Sequence, residues 1–395
     1  MKLSKKVAII VVATSSLILS SSPAFADQIN GSGATFAQPL IDVCKVEFTK
    51  DTGHTINYTA GGSGKGRTDF ASNLVDFAAS DAVYTSGFPA HLEYAAVYAA
   101  GIAIGYNLPT VKTPIYLSPA IIAQIFSGEI QNWNDVRIRT VNDGEVKVPV
   151  FATKKVTVKV GGKNVTQTVP VLDKDGKPKI LKYNTVEANA KLPNLPITVY
   201  YRTDSSGTSE QFGKFLQGAN AGPDASLWPK TASGTFSSMT PVPLSNYFNF
   251  QGASGSALLA AGVKSKIGAI GYAESAWFTS NKLGTALVQN WAKEFVAPTA
   301  AATSAFLGGG TIEANGSVTT PYQKAIPGGY PIGTASYGLV YPEAAKKDAE
   351  KQKIVAAWHT YLLDKCATKF PELGYIQITG ALYDKAKSQI AKSSN

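Results

Sequence analysis

Two cysteines, two methionines and three histidines in 395 residues leave little material for redox or metal chemistry. His54, His91 and His359 are scattered, and none stands at metal-ligand spacing from a second histidine or a cysteine, so a histidine-built metal centre is excluded and no metal is expected. The Gly-x-Ser-x-Gly turn of serine hydrolases is missing too, because residues 61–65 and 252–256 both lack the final glycine. A nucleotide phosphate loop fails at Gly61-Gly62-Ser63-Gly64-Lys65-Gly66, where the leading glycine is absent and Lys65 is followed by glycine rather than Ser or Thr. Without these devices no catalytic residue and no cofactor is assigned. Charged residues make up only 16% of the chain against 44% hydrophobic ones, and there is no long low-complexity run or solenoid repeat. That is the composition of an ordinary globular protein, and its length favours two lobes over one core.

Long hydrophobic runs are scarce as well. The one candidate, residues 7–19, is shorter than the roughly 20 residues that span a bilayer and is broken by Thr14, Ser15 and Ser16. It follows Lys2, Lys5 and Lys6 and precedes Ala24-Phe25-Ala26, so residues 1–26 read as an export signal cleaved near Ala26. No cysteine follows the run to carry a lipid, and the expected location is extracytoplasmic, either periplasmic or secreted. Loss of the signal removes three lysines and no acid, lowering the formal charge from +10 to +7. The excess suits a small anion drawn in by the protein's field. Nucleic acid is not expected, because many of the lysines crowd into residues 147–191 without interleaved stacking aromatics. In an oxidising compartment Cys44 and Cys366 are a disulfide candidate, although both also suit buried apolar positions. A bridge would build one lobe from both ends of the chain and insert the second between them.

The periodicity agrees with an α/β fold. A helix over residues 37–50 carries Leu40, Ile41, Cys44, Val46 and Phe48, and strands follow at 55–58 and 75–81 around a glycine-rich turn and a short helix. Residues 95–106 form a strand long enough to pass between lobes, and Ser118-Pro119 opens a helix that stops at Gly128. Around residues 146–182 the pattern alternates with period two about Gly161-Gly162-Lys163-Asn164, with a second turn at 173–177, which reads as an exposed β-hairpin insertion. A strand at 197–201 delivers Arg202, a helix runs over 209–217, a buried strand covers 266–272, and the last amphipathic helix lies near 353–365. The expected domains are residues 27–105 and 271–395 for the first lobe and 106–270 for the second. Each lobe is a mostly parallel sheet flanked by helices, with ligands beyond the carboxyl ends of the strands.

Two short segments look like halves of one oxyanion site. Gly33-Ala34-Thr35-Phe36 and Arg202-Thr203-Asp204-Ser205-Ser206-Gly207-Thr208 are small, rich in hydroxyls, and each precedes a helix whose first N–H groups are free. Thr35 would equally serve as a plain N-cap. Ser63 adds a donor on the glycine-rich turn. Arg202 offers a planar fork for two anion oxygens and Asp204 can orient it, although the two could form an ordinary surface pair. Asp81 ends a strand, where a carboxylate suits an anion only if that anion carries a proton. Monohydrogen phosphate does and sulfate does not, so Asp81 would discriminate between them. Its plainer role is to cap the next turn.

Taken in order, Gly31-Ser32-Gly33-Ala34-Thr35-Phe36-Ala37-Gln38-Pro39, residues 51–58, Asp76-Phe77-Ala78-Ala79-Ser80-Asp81, residues 202–209 and Gly268-Ala269-Ile270-Gly271-Tyr272-Ala273-Glu274 resemble the motifs of the extracytoplasmic phosphate-binding proteins of phosphate ABC importers. The resemblance covers most of the chain after the signal. It implies a two-lobed periplasmic-binding-protein fold, type II-like, that hinges shut on one inorganic phosphate and then docks on membrane permease subunits as a monomer. It also implies the ligand set Thr35, Phe36, Ser63 and Asp81 from the first lobe and Arg202, Ser206, Gly207 and Thr208 from the second, with Asp204 supporting the arginine. Lys65 departs from the pattern, since the family often has serine and two glycines there, and either adds charge near the mouth or faces solvent. The insertion is longer than the family's. The rival readings are a secreted phosphatase and an adhesion or interaction protein that uses the hairpin.

Overall fold

Leu40, Ile41, Cys44 and Phe48 share one face of helix α1 (Gln38–Thr52), which therefore buries that face and ends at Gly53, whose positive φ of 81° lets its N–H return to the carbonyl of Thr49. The computed structural model describes residues 27–87, 89–160, 163–341, 348–370 and 373–393. The export signal at 1–26 lies outside them. Before and after α1 come β1 (Gln28–Gly33), β2 (Thr55–Ala60), α2 (Ser63–Ala71), β3 (Phe77–Ser80) and the long β4 (Glu93–Tyr106). The middle of the chain supplies β5 (Tyr116–Leu117), α3 (Pro119–Phe126), α4 (Val136–Val141), β6 (Asp143–Phe151), β7 (Thr153–Val160), β8 (Lys163–Pro170) and β9 (Ile180–Asn189). Then follow β10 (Thr198–Arg202), α5 (Gly207–Ala219), α6 (Phe236–Met239), β11 (Phe250–Ala253), α7 (Gly255–Ser265) and β12 (Ala269–Glu274).

Two parallel triplets form the lobes: β1 pairs in parallel with β2 and β3, and β10 with β11 and β12. They are not separate sheets. The first part of β4 pairs antiparallel with the return strand Gly333–Val340, itself beside β3, while its last residues pair antiparallel with β12. One sheet in the order β11-β10-β12-β4-return strand-β3-β1-β2 therefore runs through both lobes. β4 can occupy its middle because the strand is buried almost throughout and rich in alanine and glycine, which lets helices pack on both faces. The chain does not leave the second lobe at β12: Gly284–Thr285 pairs with the end of β4, and Leu287–Gln289 with β5.

The insertion is an arm of two stacked ladders. β6 pairs with β9 from Asp143↔Asn189 to Phe151↔Ile180, and β7 pairs with β8 beyond them. It thus starts and ends further out than residues 146–182, because its polar base continues the same ladder. Gly161 and Gly162, where the sequence puts the tip, lie outside the described residues. The second turn is held by Asp173, whose Oδ1 accepts from the N–H groups of Asp175 and Lys177, each at 2.9 Å, with Gly176 at φ 75°.

Near the end of the chain, helix Ala349–Tyr361 carries buried Ile354, Val355 and Trp358, and passes through a π-helical turn, Leu362–Cys366, into the disulfide Cys44–Cys366. A further helix, Gly380–Lys392, follows the one expected to be last and buries Ala386, Gln389 and Ile390. Its apolar positions are too few to stand out among lysines. The disulfide closes a sequence separation of 322 residues, so replacing both cysteines by serine is expected to cost about 2–4 kcal/mol of stability, mainly through the unfolded chain. Non-reducing thermal unfolding would show it; an unchanged melting temperature would mean that the bond contributes nothing. Among the described residues no helix is long and apolar enough to cross a membrane.

Candidate functional site

The glycine-rich segment after β1 holds the first wall. Gly33 has φ 140°, and a Cβ there would lie 2.0 Å from the Ala79 carbonyl oxygen, so only glycine brings β1 this close to the end of β3. Thr35 does not cap α1: the N-cap position is Ala37, without a side-chain cap bond. Instead Thr35 Oγ1 accepts from the Ser256 N–H at 3.2 Å and meets Ser256 Oγ at 3.2 Å, across the cleft. Phe36 buries its ring edge-on to Tyr375, and its carbonyl accepts from the Tyr375 hydroxyl, so what Phe36 can offer a ligand is its backbone N–H. Ser63 opens α2 and is fully buried. Its Oγ donates to Asp81 Oδ2 at 3.2 Å and accepts from the Asp81 N–H at 3.1 Å. Asp81 is 1% exposed, and its Oδ1 accepts from Ser336 Oγ at 2.8 Å. Burial pushes its carboxyl up to about 7, against the opposing pull of Ser336, Ser63 and Arg202. It caps no turn; it is a buried acceptor.

The second wall starts where β10 ends. Arg202, 1% exposed, gives Nε to Asp204 Oδ1 at 2.7 Å and Nη2 to Asp204 Oδ2, leaving Nη1 to reach Ser256 Oγ at 3.0 Å. This is no surface pair. Burial alone would raise Asp204, but the hydrogen bonds and charge of Arg202 hold it below the usual carboxylate range. Ser206 is the N-cap of α5, its Oγ accepting from the Ser209 N–H at 3.1 Å, and Gly207 and Thr208 form the first turn. The 13-residue helix therefore aims its positive end at the same place. The two walls touch: the Gly64 N–H donates to the Ser205 carbonyl at 3.0 Å, Gln211 Nε2 donates to the Asp81 carbonyl at 2.7 Å, and Arg67 stands 3.6 Å from Glu210. At their mouth a cavity of about 130 Å³ is lined by Thr35, Gln38, Gly61, Asp204, Gly255 and Ser256. Lys65 turns away along its own helix, pairing with Asp69 at 2.6 Å.

The profile of the PBP superfamily domain matches residues 20–365. The chain belongs to the PBP superfamily. Among curated relatives of this superfamily member, the phosphate-binding protein PstS2 of Mycobacterium bovis is 28% identical over 352 residues, covering 84% of this chain and 79% of the relative. The phosphate-binding protein PstS of Pasteurella multocida is 26% identical, covering 92% of this chain and 90% of its own length. A solved phosphate-binding protein from Stenotrophomonas maltophilia shares the fold, with a TM-score of 0.61, 19% identity and coverage of 91% and 93%.

Three further residues of this superfamily member's cleft, Ser256, Glu274 and Ser336, are not among the ligands expected from the sequence. Ser256 sits in Ser254-Gly255-Ser256 at the start of α7, the same hydroxyl-and-glycine signature as the other helix mouths. Glu274 ends the buried strand β12 as Asp81 follows β3, a carboxylate at a strand end in both walls. Ser336 lies inside a strand and had no sequence signal. Gly207 has a steric reason to be glycine. A Cβ there would stand 2.3 Å from Ser63 Oγ and 3.0 Å from the Asp81 Cβ, on the opposing wall. Gly207→Ala is expected to hold the lobes apart and weaken anion binding about tenfold or more, for a loss on the order of 1.4 kcal/mol. Calorimetry checks it, and an unaltered affinity would show that the walls need not meet here.

Proposed function

We propose that this chain binds inorganic phosphate outside the cytoplasm and delivers it to the membrane permease subunits of an ABC importer, acting as a monomer after the signal near Ala26 is removed. One observation carries the reading: a buried carboxylate, Asp81, feels the charge of the buried Arg202 fork, bonds to Ser63 at the start of α2 and packs against Gly207 at the start of α5. Helix starts and a guanidinium suit any oxyanion; the carboxylate suits one that still has a proton to donate. The relatives named above are phosphate-binding proteins, in keeping with that chemistry.

On this reading Thr35, Phe36 and Ser63 donate from the first lobe, Asp81 accepts the ligand's proton, and Arg202, Ser206, Gly207 and Thr208 donate from the second. The lobes part by bending β4 near residues 100–106 and β12 near 270–274. Ligand contacts to both walls then favour the closed state, which is the form presented to the permease. Binding rather than turnover is favoured because the site's hydroxyls stand beside carboxylates and an arginine, with no imidazole among the described residues placed to activate one. Titration of the mature protein with phosphate, sulfate and a phosphomonoester, beside a turnover assay, tests this. Phosphate uptake without ester cleavage supports it, and cleavage would replace it with the phosphatase reading.

A further inference from the structure

We propose that Glu274 is a second proton-accepting group of the cleft, and that its charge state sets the direction in which the hydroxyls of Ser256 and Thr208 point their hydrogens. The proposal rests on the phosphate reading above. Glu274 closes β12 at 1% exposure. Its Oε1 accepts from Ser256 Oγ at 3.2 Å and from Thr208 Oγ1 at 3.4 Å, while its Oε2 is buried with no hydrogen-bond partner among the described residues. A hydroxyl has one hydrogen to give. While Glu274 is charged, the hydrogens of Ser256 and Thr208 are engaged by Oε1, so Thr208 presents lone pairs to the ligand and is suited to accept from a ligand O–H. Once Oε2 takes a proton from water, Oε1 ceases to be a charged acceptor, and the same hydroxyls can rotate to donate to bare anion oxygens. Protonation also changes the character of the orphaned oxygen, which as a buried charged acceptor lacks any donor.

The neighbouring groups set the balance. Arg202 on β10, itself neutralised by Asp204, favours the charged carboxylate, and Asp81 on the opposite wall disfavours it. The phenols of Tyr98 on β4 and of Tyr375, both raised by burial above their ordinary value, stay neutral beside it. Burial is the largest influence and pushes Glu274 up to about 7. A second negative charge arriving as phosphate should therefore draw a proton onto Glu274, forming an O–H bond at the expense of buffer.

Calorimetric titration with phosphate at about pH 8, in two buffers of different ionisation enthalpy, counts the protons exchanged on binding. The wild type should take up protons, Glu274→Gln should lose about half a proton or more of that uptake, and its affinity should vary less with pH, because an amide keeps an acceptor for one hydroxyl but cannot be protonated. Asp81→Asn should retain the part that belongs to Glu274. The same proton count and pH profile in Glu274→Gln as in the wild type would overturn the proposal. So would complete loss of the proton linkage in Asp81→Asn, a result that decides the matter even if the glutamine variant does not fold. Wild-type protein that binds no phosphate at any pH would remove the phosphate reading itself, and this proposal with it.

Discussion

Arg202→Ala should weaken phosphate binding by about two to four powers of ten, from a loss of roughly 3–5 kcal/mol, as judged from charge-assisted hydrogen bonds and the removal of one partner of a buried ion pair. Two effects combine. The guanidinium is buried in the second wall, and Asp204 already holds it by Nε and Nη2, so its orientation is set before any anion arrives. Truncation also strands Asp204, which is left with backbone N–H groups such as that of Gly255 at 2.9 Å and no countercharge, and an unpaired carboxylate beside the anion site repels what it formerly helped to hold. Arg202→Lys separates the contributions: it keeps the charge but loses the two-pronged grip on Asp204, and should fall between wild type and alanine. Calorimetry with phosphate measures the binding loss, and thermal unfolding of the same samples measures the strain left behind. A lowered melting temperature with undiminished affinity would make Arg202 a purely structural residue.

The site was legible where polar residues break an apolar strand pattern. Arg202 and its hydroxyl-rich successor follow β10, and Ser80-Asp81 follows the buried Phe77-Ala78-Ala79, so the strand ends announced themselves before any pairing was known. Hydrophobic spacing also marked α1, and the alanine-rich run marked β4. What the sequence could not show depends on contacts distant along the chain. That β4 joins two parallel triplets into one sheet is decided by its pairing with Gly333–Val340, more than 200 residues away. Ser336 becomes a partner of Asp81 only through that same strand, at a separation of 255 residues. Thr35 looked like a helix cap because local geometry allows it, and the bond to Ser256, 221 residues on, is what engages it instead. Local patterns thus exposed both walls, while the groups that tie them together were set by tertiary packing.

Asp81→Asn is expected to admit sulfate. In the wild type, Ser336 donates to Oδ1 and Ser63 to Oδ2, so the carboxyl already holds two hydrogens and has only lone pairs left to turn towards the ligand. A phosphate that still carries a proton can donate there. Sulfate has none, and meets both a lost hydrogen bond and like charge at short range, together about 3–5 kcal/mol or roughly two to four powers of ten in affinity. Asparagine keeps an oxygen for Ser336, and its amide nitrogen, at the place of Oδ2, can donate to a sulfate oxygen while Ser63 Oγ turns to accept. Sulfate affinity should therefore rise by most of that factor, with a smaller change for phosphate, which exchanges one kind of hydrogen bond for another. The wild type carries its own control: because burial raises Asp81 to about 7, discrimination should decline as pH falls through that value and the protonated carboxyl becomes a donor. Competition titrations with sulfate against bound phosphate, across pH and in both proteins, measure these effects. An asparagine variant that still excludes sulfate would take the discrimination away from Asp81 and place it in the shape of the cleft.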